Sequence, residues 1–369
     1  MKIFEIENIE SLQKTLETRN NFENIAFQDI DFTKIKQQIL KSTFGNCFFL
    51  GCNFDSEIKN HISENNFIFP KLDVPFNSYP SKLYDKDSLF RGYITGIPES
   101  YTNSYDYIVY QHYLKIEKSE KSIIETLAQR LHDHSITDAL TDFLKKYNEK
   151  KVVAIMGGHN ALRNSENYRK GVILSKMLTE SGHLMCSGGG PGAMESTHVG
   201  AWFAGRSETE VDDALKILSQ APSFMDKKWL EVAMEVIEKY PKNNEFESLG
   251  IPTWFYGHEP PTPFASKIAK YFANSVREDG LLTIARGGII FTPGAAGTLQ
   301  EIFQDLAQNH YLSVGYKSPM IFYNTNFWTK EVPVYPFLEH MIKIGKYKNI
   351  MLTITDSTEE IFDILEKFK

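Results

Sequence analysis

From Lys151 onward, short apolar runs ending in small residues alternate with amphipathic stretches, and no other feature of the chain restricts its fold as strongly. VVAIMGG (152–158) reads as a buried strand ending in glycines, followed by a helix carrying Tyr168, Val172, Leu174 and Leu178. HLMCSGGG (183–190), IPTWFYG (251–257), GGIIFTPG (287–294), PMIFYN (319–324) and IMLTITD (350–356) read as further strands. PGAMESTHVGAWFAG (191–205) starts a helix, and TEEIFDILEKF (358–368) closes the chain as another. Apolar runs of this length with helices between them predict a parallel sheet buried on both faces, because each crossover returns over the sheet as a helix. The expected class is α/β, with a doubly wound parallel sheet over residues 151–369 and a polar, helix-prone insertion at about 207–247.

Residues 1–116 have a different texture. NIAFQDIDF, FGNCFFLGCNF, NNFIFP and YDYIVYQHYLK are short aromatic and β-branched runs broken by Asn, Asp, Ser and Pro, which predicts a smaller α+β domain. The two phenylalanine-rich stretches resemble each other over a length too short to define a solenoid. Residues 117–150 read as a helical connector, with Ile123, Ile124, Leu127 and Leu131 on one face and Ala139, Leu140, Phe143 and Leu144 in a second run.

With 369 residues, 42% of them hydrophobic, the chain is long enough for two globular domains. Its net charge is −7 and no long Lys/Arg cluster occurs, so neither a nucleic acid nor a membrane is an expected partner, and a small-molecule ligand is. Cys47, Cys52 and Cys186 lack zinc-type spacing and predict a reducing compartment without disulfides. The opening MKIFEIENIESLQ places acidic residues where a signal peptide needs an apolar run, so a cytoplasmic location is expected.

Three strands of the second half end in small residues: MGGHN (156–160), SGGGPGAME (187–195) and TPGAAGTLQE (292–301). In an open parallel sheet the carboxyl edge is the ligand crevice. Glycines there permit close backbone approach, and a helix N-terminus offers unpaired N–H groups and partial positive charge to a phosphate. One such loop could be a tight turn and nothing more; two that open helices on one edge, with a third beside them, point to nucleotide binding.

These motifs in this order resemble the LOG family, Rossmann-like proteins also called lysine decarboxylase-like, which includes cytokinin riboside 5′-monophosphate phosphoribohydrolases, and the related bacterial nucleoside 5′-monophosphate nucleosidases. The similarity covers residues 151 to about 310. IMGGHN, with Gly157 and Gly158, matches the family's first small-residue loop, and Tyr168 matches a tyrosine on the next helix. Gly188, Gly189, Gly190, Gly192 and Met194 match its GGGxxGxM loop, with the last glycine one residue early. Pro293, Gly294, Gly297, Thr298 and Glu301 match its PGGxGTxxE motif, which is broken at Ala295. The resemblance implies hydrolysis of the N-glycosidic bond of a nucleoside 5′-monophosphate, releasing free base and ribose 5-phosphate. It implies Glu301 and Arg277 as catalytic residues, with Lys267 and Arg286 competing for the role of Arg277, and the glycines, Met194 and Thr298 as substrate-binding residues. It also implies a homodimer or higher homo-oligomer.

Other readings of the same residues stay open. Thr298-Leu-Gln-Glu301 fits a capping box, in which Glu301 would only start a helix. Ala295 favours a non-catalytic nucleotide-binding or sensing protein that keeps the phosphate loops. Met225, Lys227, Lys228 and Trp229 could cover the crevice, or Trp229 could be core. His159 and Asn160 could touch a base or sugar, or serve the turn. His258 and Glu259 lack zinc-site spacing because Pro260 and Pro261 break any helix, so no metal is expected. No lysine stands in a context that singles it out for pyridoxal phosphate, so no cofactor and no decarboxylation are expected.

Overall fold

A computed structural model describes residues 3–117 and 122–368; residues 118–121, near the start of the expected helical connector, lie outside the described residues. The chain divides into two compact units, Met1–Leu83 with His112–Thr141, and Tyr84–Gln111 with Asp142–Lys369. The division falls inside the helices Tyr105–Glu117 and Ile123–Leu144, not at the boundaries expected near residues 116 and 150.

In the first unit, strands β1 (Phe4–Ile6), β3 (Ile25–Gln28), β5 (Phe48–Leu50) and β6 (Phe67–Phe69) form one parallel sheet, and β2 (Asn21–Glu23) and β4 (Thr43–Gly45) form another. The resemblance between the phenylalanine-rich stretches, expected to be too short for a solenoid, is the register of one. Asn24 and Asn46, 22 residues apart, both turn at positive φ and bond side chain to side chain at 2.6 Å. At the same repeat Phe22 stacks on Phe44 (5.2 Å) and Phe27 on Phe49 (5.1 Å). Successive coils thus bury like on like, which compensates for strands of only three or four residues.

The helix Ile123–Leu144 overturns its expected face. Ile123, Ile124 and Leu127 are exposed, whereas Glu125, Ala128, His132, Asp133 and Ile136 are buried. Polar groups can take the inner face because they bond there: His112 Nε2 meets Glu125 Oε2 at 2.9 Å, and His132 Nδ1 meets Asp133 Oδ1 at 3.1 Å.

The second unit carries the α/β Rossmann-like sheet. Its strands are β7 (Val152–Met156), β8 (Leu184–Ser187), β9 (Ser248–Gly250), β10 (Lys267–Ile268), β11 (Gly288–Phe291), β12 (Pro319–Tyr323) and β13 (Met351–Thr355). They lie in the order β10-β9-β8-β7-β11-β12-β13, all parallel. β7, β8, β11 and β12 are buried along their whole length, as continuous apolar runs require when helices cover both faces. IPTWFYG, expected as a strand, is instead a loop after β9: Pro252 has no N–H for a ladder, and Gly257 N–H turns back to the carbonyl of Trp254 at 3.1 Å. The expected insertion forms two helices, Glu208–Leu218 and Trp229–Lys239. No described helix is long and apolar enough to cross a membrane.

The sheet positions the site by its winding. The chain runs from β7 outward through β8, β9 and β10, then returns to β11 on the other side of β7 and runs outward again. The switch point of the winding therefore falls between β7 and β11, the place where open parallel sheets take ligands.

Candidate functional site

Two backbone hydrogen bonds tie the switch-point loops together. Gly158 N–H donates to the carbonyl of Pro293 at 3.0 Å, and Ala193 N–H donates to the carbonyl of Gly158 at 3.1 Å. The backbone of Gly158 is thus occupied by protein and fastens the three loops. Gly192 has φ +70°, and a side chain there would strike the carbonyl oxygens of His159 and Gly158 at 2.5 and 2.6 Å, so this turn accepts only glycine.

The glycine loop after β8 makes room chiefly for side chains. A methyl group at Gly188 would collide with Arg277 Nη2 and with Met194 Sδ, and Met194 also lies over Gly190. Gly189 packs at the same closeness against Pro252 and Gly250. Ser187 braces the loop from below. Its Oγ donates to the carbonyl of Met194 (3.0 Å), accepts from Gly189 N–H (3.1 Å) and meets His198 Nε2 at 2.8 Å. Burial holds His198 down at about 3, so it is a neutral brace and takes no part in charge.

After β11 the helix Ala296–Tyr311 begins with Ala295 at its N-cap and no side-chain cap. The capping box of Thr298 and Glu301 does not form: Thr298 is the third helical residue, and Glu301 lies in the second turn, not the first. Ala295 has φ −113°, outside the left-handed region that favours glycine, so the break in the PGGxGTxxE pattern does not put a side chain where positive φ is needed. The first-turn N–H groups of Ala296, Gly297 and Thr298 have no acceptor within the helix. Around Gly297 a side chain would meet nothing within 4 Å. Thr298 turns its hydroxyl toward Gly294 and makes no hydrogen bond to another described residue.

Arg277, on the helix Asn274–Ile284, donates from Nε to the carbonyl of Ile251 at 2.8 Å and lays its guanidinium against Gly188. Two side-chain bonds fasten this helix to the one bearing Glu301: Gln300 Nε2 to Glu278 Oε2 at 2.8 Å, and Gln304 Nε2 to Asp279 Oδ1 at 3.2 Å. Those contacts flank Arg277 and Glu301 and bring them within electrostatic reach. Glu301 is partly buried, and its carboxylate makes no hydrogen bond to another described residue. Burial pushes its pKa up to about 7, Arg277 opposes the rise and Glu278 adds to it. Of the competitors of Arg277, Arg286 pairs with Glu149, and Lys267 lies on the edge strand β10.

Other side chains singled out above are consumed by structure. Tyr168 donates its hydroxyl to Glu195 Oε2 at 3.0 Å, and Arg163 grips the same carboxylate with two nitrogens. Trp229 belongs to that buried cluster, its ring 4.6 Å from the Arg163 guanidinium, and so is core. The insertion reaches the crevice rim through Phe224, edge-on to His159 at 5.7 Å. His159 Nδ1 in turn meets Glu259 Oε1 at 3.0 Å. Neither the Arg163–Glu195 pair nor the His159–Glu259 pair was readable in the sequence, since each joins segments far apart in the chain.

No family model matches the chain, and no curated protein is significantly similar to it. Among solved structures, it is similar to a molybdenum cofactor binding protein from the phototrophic bacterium Rippkaea orientalis, at 15% identity and a TM-score of 0.37, over 58% of this chain and 94% of that one. At that level the likeness bears on no residue of the crevice.

Proposed function

We propose that the protein hydrolyses the N-glycosidic bond of a nucleoside 5′-monophosphate, releasing the free base and ribose 5-phosphate. One observation carries this reading: an unpartnered carboxyl, Glu301, beside the Arg277 guanidinium, on a helix whose first turn offers free N–H groups at the switch point of a parallel sheet. The N–H groups of Ala296, Gly297 and Thr298, with Thr298 Oγ1, hold the 5′-phosphate, and this remote binding orients the sugar. As the C1′–N bond breaks, its electron pair leaves with the base, and positive charge grows on the ribose, where ionised Glu301 stabilises it. Water adds its oxygen to C1′, one of its protons passes through Glu301, and the departing base nitrogen takes up a proton. Arg277 keeps enough Glu301 ionised at neutral pH for this role. The reading carries with it a homo-oligomer and a cytoplasmic location.

The test is incubation of the full-length protein with AMP, GMP, CMP, UMP and IMP, with chromatography for free base. Release of base from at least one, lost in Glu301→Ala with the fold intact, is the expected result. Nucleotide binding without any base release would instead favour the sensing protein, and full activity in Glu301→Ala would remove the carboxylate from the reaction.

A further inference from the structure

We propose that Glu259, oriented by His159, recognises the ribose 2′,3′-diol, so that the crevice selects ribonucleotides over 2′-deoxyribonucleotides. This rests on the nucleoside monophosphate reading of the crevice and names a residue that reading does not use. Glu259 sits in the loop after β9, and Pro260 and Pro261 limit the conformations of that loop. The loop is tied to the glycine loop after β8 by Thr262 N–H donating to the carbonyl of Gly189 at 2.8 Å. Glu259 Oε2 lies only 3.6 Å from where a Gly190 Cβ would stand. A carboxylate therefore hangs over the same glycine loop that receives Arg277 two residues earlier.

Two histidines approach one oxygen of this carboxylate. His159 Nδ1 lies 3.0 Å from Oε1, and His258 Nε2 lies 3.8 Å from that same oxygen. Phe224 stands edge-on to the His159 ring and limits its rotation. Oε2 has no hydrogen-bond partner among the described residues. An anion at Gly190 repels a phosphate, which leaves the phosphate to the helix after β11 and makes the loop after β8 a place for donors. A nucleoside monophosphate carries two sets of donors, its sugar hydroxyls and any amino group of the base. The hydroxyls sit on the carbons one and two bonds from C1′, the atom that Glu301 and Arg277 must face, and the loop that receives Arg277 is the one beneath Glu259.

Calorimetric titration with ribose 5-phosphate and 2-deoxyribose 5-phosphate, which lack a base and are not hydrolysed, isolates the contact. The parent should bind the ribose compound about tenfold or more tightly. Glu259→Ala should bring the ratio close to one without weakening the deoxy compound, and Glu259→Gln, which keeps one acceptor and the side-chain shape, should retain part of it. His159→Ala should lie between parent and Glu259→Ala. An unchanged ratio in Glu259→Ala, or a change only in which base the enzyme prefers, overturns the proposal. Equal binding of both sugars by the parent sinks the diol contact alone, whereas binding of neither sinks the nucleotide reading and this inference with it.

Discussion

Arg163 and Glu195 form a two-pronged pair, Nε to Oε2 at 2.9 Å and Nη2 to Oε1 at 2.6 Å, with both side chains buried. Tyr168 bonds the carboxylate, and the carbonyl of Trp229 takes a further Arg163 nitrogen at 2.9 Å, so the loop after β7, the helix after β8 and the insertion meet at one point. Arg163→Met would strand a buried carboxylate and should cost about 3–5 kcal/mol. Pairing it with Glu195→Leu should restore much of that loss. Urea denaturation of the single and double variants measures both; a double variant no better than the single would mean that packing around Trp229 dominates.

The pKa of Glu301, raised by burial from 4.5 to about 7, has two consequences of definite sign. If the ionised form works, base release rises with pH through a midpoint near 7, and Arg277→Met, which removes the opposing charge, moves that midpoint upward. For stability, ionising a group whose folded pKa lies above its unfolded one opposes folding, so the cost sets in above about 4.5 and is complete above about 7. Glu301→Gln should accordingly gain on the parent by up to about 3 kcal/mol at pH 8 and by little at pH 4.5. A gain equal at the two pH values would show that Glu301 is not held in this way.

Gly188→Ala places a methyl group where Arg277 Nη2 lies and 2.6 Å from Met194 Sδ. Displacing the guanidinium should lower base release on the order of a hundredfold, with a modest stability loss of about 1–3 kcal/mol. Gly297→Ala, where nothing lies within 4 Å, is the control for stability and should gain up to about 1 kcal/mol from helix propensity. Thermal melts separate the two, and a melting temperature for Gly188→Ala above that of Gly297→Ala would contradict the packing described for the loop.

Asp305, one turn beyond Glu301, is fully buried. Its Oδ1 accepts from Asn309 Nδ2 at 3.1 Å, while Oδ2 has no partner among the described residues. Burial pushes its pKa from 3.8 up to about 8, so ionising it opposes folding increasingly as pH rises between those values. Asp305→Asn keeps the bond to Asn309 and removes that charge. It should match the parent at pH 4 and exceed it by about 1–3 kcal/mol at pH 9, as read by denaturation.

Much of the second unit was legible because its strands are buried on both faces: continuous runs such as VVAIM and GIIF have no alternative use in water. IPTWFYG failed for a reason visible afterwards. Trp254 is buried, but it is buried in a loop, where its indole N–H reaches Asp106 at 3.0 Å. Apolar content alone does not separate a strand from a loop that packs inward. The helix Ile123–Leu144 departs in the opposite direction, because apolar periodicity does not show the partners that let Glu125 and Asp133 turn inward.

The sequence by itself determined the parallel α/β sheet, the glycine-lined edge and the residue types at that edge, because strand burial and backbone approach are local demands written in apolar runs and glycines. Only the tertiary structure decided what each glycine is for. Gly188 makes room for Arg277, Gly158 fastens neighbouring loops with its backbone, and Gly297 leaves open space at a helix start. It likewise decided that Ala295 keeps a negative φ and that Glu301 stands one turn deeper than a cap. Those outcomes depend on distances between segments tens of residues apart, and such distances follow from how the crossovers pack, not from the order of residues in any one motif.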